Sequence, residues 1–268
     1  MANKIILDTD MGRFSDDVIA LLFALKHPEI ELLGITSVYE TAEKGASMSR
    51  EMIELAKKQV PVYIGNNQTL EENSFQNSEA VDFLLDESQK HKGEYDLLCI
   101  GPLTNIAVAI KKDERFCKNV RKLFIMGGSI HRSYTRYSID PEYNIAVDPD
   151  AARIVFESSI DKLIIPLDVT MDGVIGKREF ERLRELGDLE RKAYDFTFQG
   201  KFGEEMHDSL ALAIMTNPEI ATIEKMPIKV DIYGNTLVRG ENILDVCMNF
   251  DYKTFRNIFD GVVFNQKR

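Results

Sequence analysis

Little in this chain invites a polyanion, a disulfide or a membrane. Basic residues are outnumbered, 33 Lys and Arg against 44 Asp and Glu, which leaves a formal net charge of -11 and a pI near 5.0. Nucleic acid and anionic membranes select basic surfaces, so neither is expected as a partner, and a small neutral or cationic substrate, or a metal, fits better. Cysteine is scarce: Cys99, Cys117 and Cys247 are odd in number, far apart and in no metal-ligand spacing, and they read as reduced core filler. No apolar run approaches the ~18–20 residues of a membrane span. Met-Ala-Asn-Lys leads directly into the first apolar run without a signal-like segment, so a cytoplasmic protein is expected. Internal repeats and low-complexity linkers are missing too, and the 268 residues are read as one domain, 1–268.

What the chain does have is short aliphatic runs alternating with stretches of helical period. Ile5 to Leu7, Leu32 to Thr36, Val60 to Ile64, Leu97 to Ile100, Leu123 to Ile125 and Leu163 to Leu167 read as strands, and 42–58, 78–88, 103–112 and 148–158 as helices. This order predicts an α/β fold with an open, mainly parallel, Rossmann-like sheet and helices on both faces. The pattern changes after residue 175. A charged helical stretch near 177–187 leads to Tyr194-Asp195-Phe196-Thr197-Phe198 and then to a helix holding His207 and Asp208. Ile228 to Ile232, Gly234-Asn235 and Thr236 to Val238 carry the alternation and turn dipeptide of a hairpin. The last third therefore reads as a helical cap plus an antiparallel hairpin.

Four carboxylates, Asp8, Asp10, Asp16 and Asp17, fall where the first strand gives way to a helix. A strand end gains nothing from two acids, and acids this close repel unless something offsets their charge. A hard divalent cation with oxygen ligands would do so. Asp16 and Asp17 equally suit a first helical turn with Ser15 as N-cap. Parallel strands point their carboxyl ends to one side, so Thr41, Gly101-Pro102-Leu103-Thr104-Asn105 and Met126-Gly127-Gly128-Ser129 converge on the same place. Glu142 and Asn144, two apart, could share one face of an extended segment and bond neighbouring hydroxyls, or simply belong to a surface loop. His207-Asp208 opens an apolar helix, where the pair needs a hydrogen bond or a metal, or serves as a cap with a packed histidine.

Together these residues resemble the inosine-uridine-preferring nucleoside hydrolase family over essentially the whole chain. Asp8-Thr9-Asp10-Met11-Gly12 followed by Asp16-Asp17 is similar to the family's Asp-x-Asp-Pro-Gly-x-Asp-Asp with two extra residues, a spacing that some bacterial members share. Further matches are Gly101 to Asn105, Met126-Gly127-Gly128, Glu142-Tyr143-Asn144 with Asp148-Pro149-Asp150-Ala151-Ala152, Leu167-Asp168-Val169-Thr170, and His207-Asp208. Met11 and Ser209 replace prolines of the family pattern, Met171 stands where many members have His, Asn66 to Ser78 lacks a His-Gly pair, and no Gly-Asn motif stands near Arg136. The departures leave the acids, Glu142 and Asn144 in place and bear mainly on base recognition.

The resemblance implies calcium-dependent hydrolysis of the N-glycosidic bond of ribonucleosides. It implies Ca2+ held by Asp10, Asp17, Asp208 and the backbone carbonyl of Thr104, with Asp10 also the general base for a water that the ion polarises. Asp16, Thr41, Met126, Glu142 and Asn144 would line the nucleoside, and His207 would contact or protonate the leaving base. A homo-oligomer, dimer or tetramer, is also implied. A non-catalytic ribose-binding or sensor protein retaining the metal pocket is the alternative. A phosphotransfer enzyme of the Asp-x-Asp type is disfavoured, because the Gly101 and Met126 segments lack a Lys or Arg to clamp a phosphate.

Overall fold

Ile5, Ile6 and Leu7 are buried, and their alternation divides the interior in two: Ile5 and Leu7 face one apolar core and Ile6 the other. A strand buried on both faces is the signature of a central parallel strand. The computed structural model describes residues 3–14, 16–70, 76–130, 141–197 and 205–265. Its strands are β1 (Asn3–Thr9), β2 (Ile30–Ser37), β3 (Val62–Ile64), β4 (Asp96–Cys99), β5 (Lys122–Met126), β6 (Lys162–Ile165), β7 (Ala221–Val230) and β8 (Thr236–Phe250). They form one sheet in the order β3-β2-β1-β4-β5-β6-β8-β7, parallel throughout except for the antiparallel pair β7 and β8.

The helices of the first two-thirds are α1 (Asp16–Lys26), α2 (Ala42–Leu55), α3 (Glu79–Lys90), α4 (Thr104–Lys112), α5 (Phe116–Asn119), α6 (Tyr143–Val147), α7 (Pro149–Glu157) and α8 (Leu167–Thr170). The last third adds α9 (Lys177–Glu181), α10 (Leu183–Leu186), α11 (Asp188–Thr197), α12 (His207–Thr216) and α13 (Tyr252–Val263). Residues of α1, α2, α12 and α13 fill the core on the Ile5 face, and residues of α3, α4 and α7 the core on the Ile6 face. The expected α/β sheet with helices on both faces, a helical cap and a hairpin is thus present. The strand order reverses between β1 and β4, which is where an open α/β sheet leaves a crevice for ligands.

Most boundaries shift by one to three residues from the sequence reading, and two of the differences have a clear physical reason. The strand expected over Leu163 to Leu167 ends at Ile165, because Pro166 is followed by the helical turn α8. The hairpin is far longer than Ile228 to Val238: it runs from Ala221 to Phe250, with register shifts at Thr222/Ile223 and Pro227/Ile228 that break the two-residue period. Pro227 sits at one of these irregularities in an edge strand, where a missing N–H is tolerated. At the hairpin tip Gly234 (φ +82°) lies so close to α6 that a Cβ would stand 2.5 Å from the Cα of Ala146. Among the described residues no helix is long and apolar enough to cross a membrane, and all three cysteines are free.

Candidate active site

Two helices that bury nearly all their faces, α1 and α12, both carry acids in their first turn and pack side by side. Val18 to Leu25 and Leu210 to Met215 are buried almost without exposure, at about 1.5–3 kcal/mol for each large side chain, enough to hold mutually repelling carboxylates at the helix starts. Carboxylate oxygens of Asp16, Asp17 and Asp208 lie within 4.8 Å of one another. They meet at the carboxyl end of β1, in a cavity of about 890 Å³ whose wall also includes Asp10, Ile100, Met126, Glu142, Asn144, Phe196 and His207.

The loop after β1 is tied down from several directions. The Thr9 hydroxyl donates to Asp17 and accepts from the Met11 N–H at 3.1 Å. The hydroxyl of Thr41 is shared between the carbonyls of Asp10 and Met11, 3.2 Å from each. Gly101 comes so near that a Cβ would stand 2.8 Å from the Asp10 nitrogen. Thr41 is thus engaged with the backbone behind Asp10 and is not among the wall residues. Nor is Thr104, whose hydroxyl donates to Asp148 at 2.6 Å; Asp148 also caps α7 and accepts from the Leu70 N–H at 2.7 Å.

Glu142 is the N-cap of α6. Its carboxylate accepts from the N–H groups of Asn144 (2.7 Å), Gly128 (3.0 Å) and Ile145 (3.1 Å). The Asn144 amide donates to the carbonyls of Ile100 and Met126, 3.2 Å from each, at the ends of β4 and β5. Its own carbonyl oxygen is therefore left to accept. His207 Nδ1 lies 2.8 Å from the Thr170 hydroxyl.

The cavity wall also carries two cations, Arg13, which donates to Glu40, and Lys44, which donates to the Gly12 carbonyl, but burial and like charge govern its acids. Burial first, then the charge of Asp16 and Glu142, pushes the Asp10 carboxyl up to about 8. Asp17 and Asp208 are held well above the usual carboxylate range by burial and by their acidic neighbours. Burial lifts Glu142 to about 7 in spite of its three backbone donors. Asp10 Oδ2 is buried without a hydrogen-bond partner among the described residues. An all-oxygen donor set with an orphaned acceptor fits a hard divalent cation, which would favour the ionised carboxylates.

A family model described as inosine-uridine preferring nucleoside hydrolase matches residues 5–257. The chain belongs to this family. It is a ribonucleoside hydrolase, an enzyme acting on N-glycosyl bonds. It is 29% identical over 274 residues to the pyrimidine-specific ribonucleoside hydrolase RihB of Escherichia coli O1:K1, with 87% of this chain and 86% of the relative covered. The solved purine-preferring ribonucleoside hydrolase from Gardnerella vaginalis is similar at TM-score 0.84 and 27% identity, covering 97% of this chain and 98% of that one. A plant nucleoside hydrolase, PpNRh1, shares the fold at TM-score 0.86 and 22% identity, covering 99% and 100%.

Two residues of this nucleoside hydrolase that the sequence places in motifs, Asn105 and Asp8, have partners it did not reveal. Asn105 is a hub: its carbonyl accepts from the Asn66 N–H and amide, each at 3.0 Å, and its amide donates to Asp8 (2.8 Å) and to the Ser37 carbonyl (2.9 Å). A buried amide beside the apolar Ile106 to Ala109 was the available signal. Asp8, read with the catalytic acids, is not in the cavity wall; it bonds Thr36 and Asn105, and burial raises it to about 7. At the mouth, Arg13 lies 4.9 Å from the Tyr143 ring centre, and Phe14 meets the same ring edge-on at 4.9 Å. The Ser15 cap and the region of Arg136 lie outside the described residues.

Proposed function

We propose that the enzyme releases free ribose and a nucleobase from ribonucleosides in a calcium-dependent reaction. Asp10, Asp17, Asp208 and the Thr104 carbonyl would hold the ion, with Asp16 placed to serve either the ion or a ribose hydroxyl. When bound, calcium supplies positive charge that keeps the carboxylates ionised and makes a water more acidic. Asp10 takes the proton of the attacking water. Asn144 accepts a hydrogen bond from a ribose hydroxyl through its free carbonyl oxygen, and Glu142 does so through lone pairs its backbone donors leave open. The surrounding carboxylates stabilise the oxocarbenium-like sugar as the base departs. His207 serves the departing base.

The observation that carries this reading is the meeting of Asp10, Asp16, Asp17 and Asp208 with Glu142 and Asn144 around one cavity. The relatives' names span pyrimidine and purine nucleosides, so the test is a screen of both classes, and of nicotinamide riboside, for ribose release with and without a chelator. Release that chelation suppresses and calcium restores is expected. Calcium-dependent binding without release would mark the chain as a nucleoside sensor instead. The same reading places the enzyme in the cytoplasm as a single catalytic domain that assembles as a dimer or tetramer, which sedimentation would test.

A further inference from the structure

An imidazole offers two ring nitrogens, and whatever occupies one decides where the other points. In His207, Nδ1 is taken up by Thr170 Oγ1 at 2.8 Å, while the ring stands in the cavity wall. Thr170 is fully buried at the end of α8, on the Leu167-Asp168-Val169-Thr170 segment whose role is otherwise unassigned. The segment is rigidly placed. Its start follows Pro166, the Thr170 N–H donates to the Pro166 carbonyl at 3.1 Å, and Asp168 accepts from the Ile130 N–H at 2.5 Å. It is also laced to the residues just before His207. The Met206 N–H donates to the Gly173 carbonyl at 2.7 Å, and Val174 bridges Glu205. The imidazole is therefore held from its own backbone and from Thr170 together.

We propose that Thr170 is a positioning residue for catalysis: its hydroxyl locks the His207 ring through Nδ1 so that Nε2 faces the leaving base. This rests on the reading of His207 as the group that serves that base. In the step, the ring carries a proton on each nitrogen and Nδ1–H donates to Thr170 Oγ1, whose own proton points to the Leu167 carbonyl at 3.4 Å. The N-glycosidic bond breaks, its electron pair goes to the base nitrogen, and that nitrogen takes the Nε2 proton and leaves a neutral imidazole. Water oxygen bonds the sugar carbon, and its proton goes to Asp10. Thr170 exchanges nothing; it keeps the ring from turning while the proton leaves.

The test compares Thr170→Val, Thr170→Ser, Thr170→Cys and His207→Ala on a natural ribonucleoside and on p-nitrophenyl riboside, whose leaving group departs unaided. Thr170→Val keeps the volume and removes the hydroxyl. It should lower kcat on the nucleoside by about 10- to 100-fold, the scale of a misaimed catalytic group, while KM and turnover of p-nitrophenyl riboside stay within about 3-fold. Thr170→Ser should recover most of the loss, with Thr170→Cys between, and Thr170→Val should add little to His207→Ala. Equal losses on both substrates, or no rescue by Ser, would overturn the positioning role, as would a Thr170→Val enzyme with normal turnover beside a crippled His207→Ala. If His207→Ala itself shows no leaving-group selectivity, the reading of His207 fails and the role of Thr170 falls with it.

Discussion

The floor of the cavity and its mouth are built by different contacts. On the floor, Asp10, Asp17, Glu142, Asn144 and Asp208 are at most 6% exposed, and Glu142 and Asn144 are held by main-chain groups. At the mouth, Phe14 is 46% exposed, and Arg13 is held by other side chains, the Tyr143 ring and Glu40 at 2.7 Å. Main-chain anchoring leaves floor groups little to reorganise when charge develops, the condition under which fixed dipoles and charges stabilise a transition state best. An exposed cation–π contact is worth about 0.5–1 kcal/mol, so the side-chain contacts of Arg13 hold the mouth far less firmly than the main chain holds the floor. Tyr143 belongs to both regions, flanked in sequence by Glu142 and Asn144 and covered by Arg13.

The sharpest test of this division is Asp10→Asn, which keeps the size and one oxygen while removing the carboxylate proposed as the base. Turnover measured as ribose release should fall by about 10² to 10⁴ with a smaller effect on KM; near wild-type turnover would move water activation elsewhere. Chelation should have an effect of similar size, and Asp208→Ala should weaken calcium binding in calorimetry while leaving the fold intact by circular dichroism. Next in size, removing the substrate's 2'-hydroxyl leaves buried floor groups unpaired, so 2'-deoxyribosides should react about 10²-fold more slowly. Equal rates would refute the floor's role in sugar recognition. Arg13→Gln at the mouth should change KM by only about two- to five-fold, the scale of one exposed cation–π contact; a loss as large as that of Asp10→Asn would abolish the distinction.

The smallest expected effect is on stability. Asp8 and Glu142 are lifted to about 7 and Asp10 to about 8, so the metal-free folded protein keeps protons that the unfolded chain releases. Their stabilisation is fully present below the ordinary carboxylate range near pH 4 and is lost as pH rises through about 7 to 8. In chelator, Tm should therefore drop by some degrees between pH 5 and pH 8. Calcium should restore it at pH 8 more than at pH 5, and Arg13→Gln should leave the slope unchanged.

Much of the floor was legible because it rests on local pattern. An apolar run ending in Asp8-Thr9-Asp10, and buried helices headed by Asp16-Asp17 and His207-Asp208, announce strand ends and helix starts that a parallel sheet must bring to one side. The family resemblance assigned roles to those positions, and the structure gathers Asp10, Asp17, Asp208, Glu142 and Asn144 around one cavity. What local pattern could not reveal is who bonds whom. Thr41 and Thr104 turn their hydroxyls to the Asp10 and Met11 backbone and to Asp148, and Asn105 joins Asp8, Ser37 and Asn66, all contacts between segments remote in sequence. The long hairpin was hidden for another reason: its two register shifts interrupt the alternation on which the reading of strands depends.

The acid cluster also dictates when a cation can act during folding. Asp16 and Asp17 lie near one end of the chain and Asp208 far along it, and only the packing of α1 against α12 brings them together. A chain in which α1 and α12 have not docked lacks the assembled cluster. Calcium should leave the refolding rate nearly unchanged and slow unfolding, the signature of an interaction absent from the transition state.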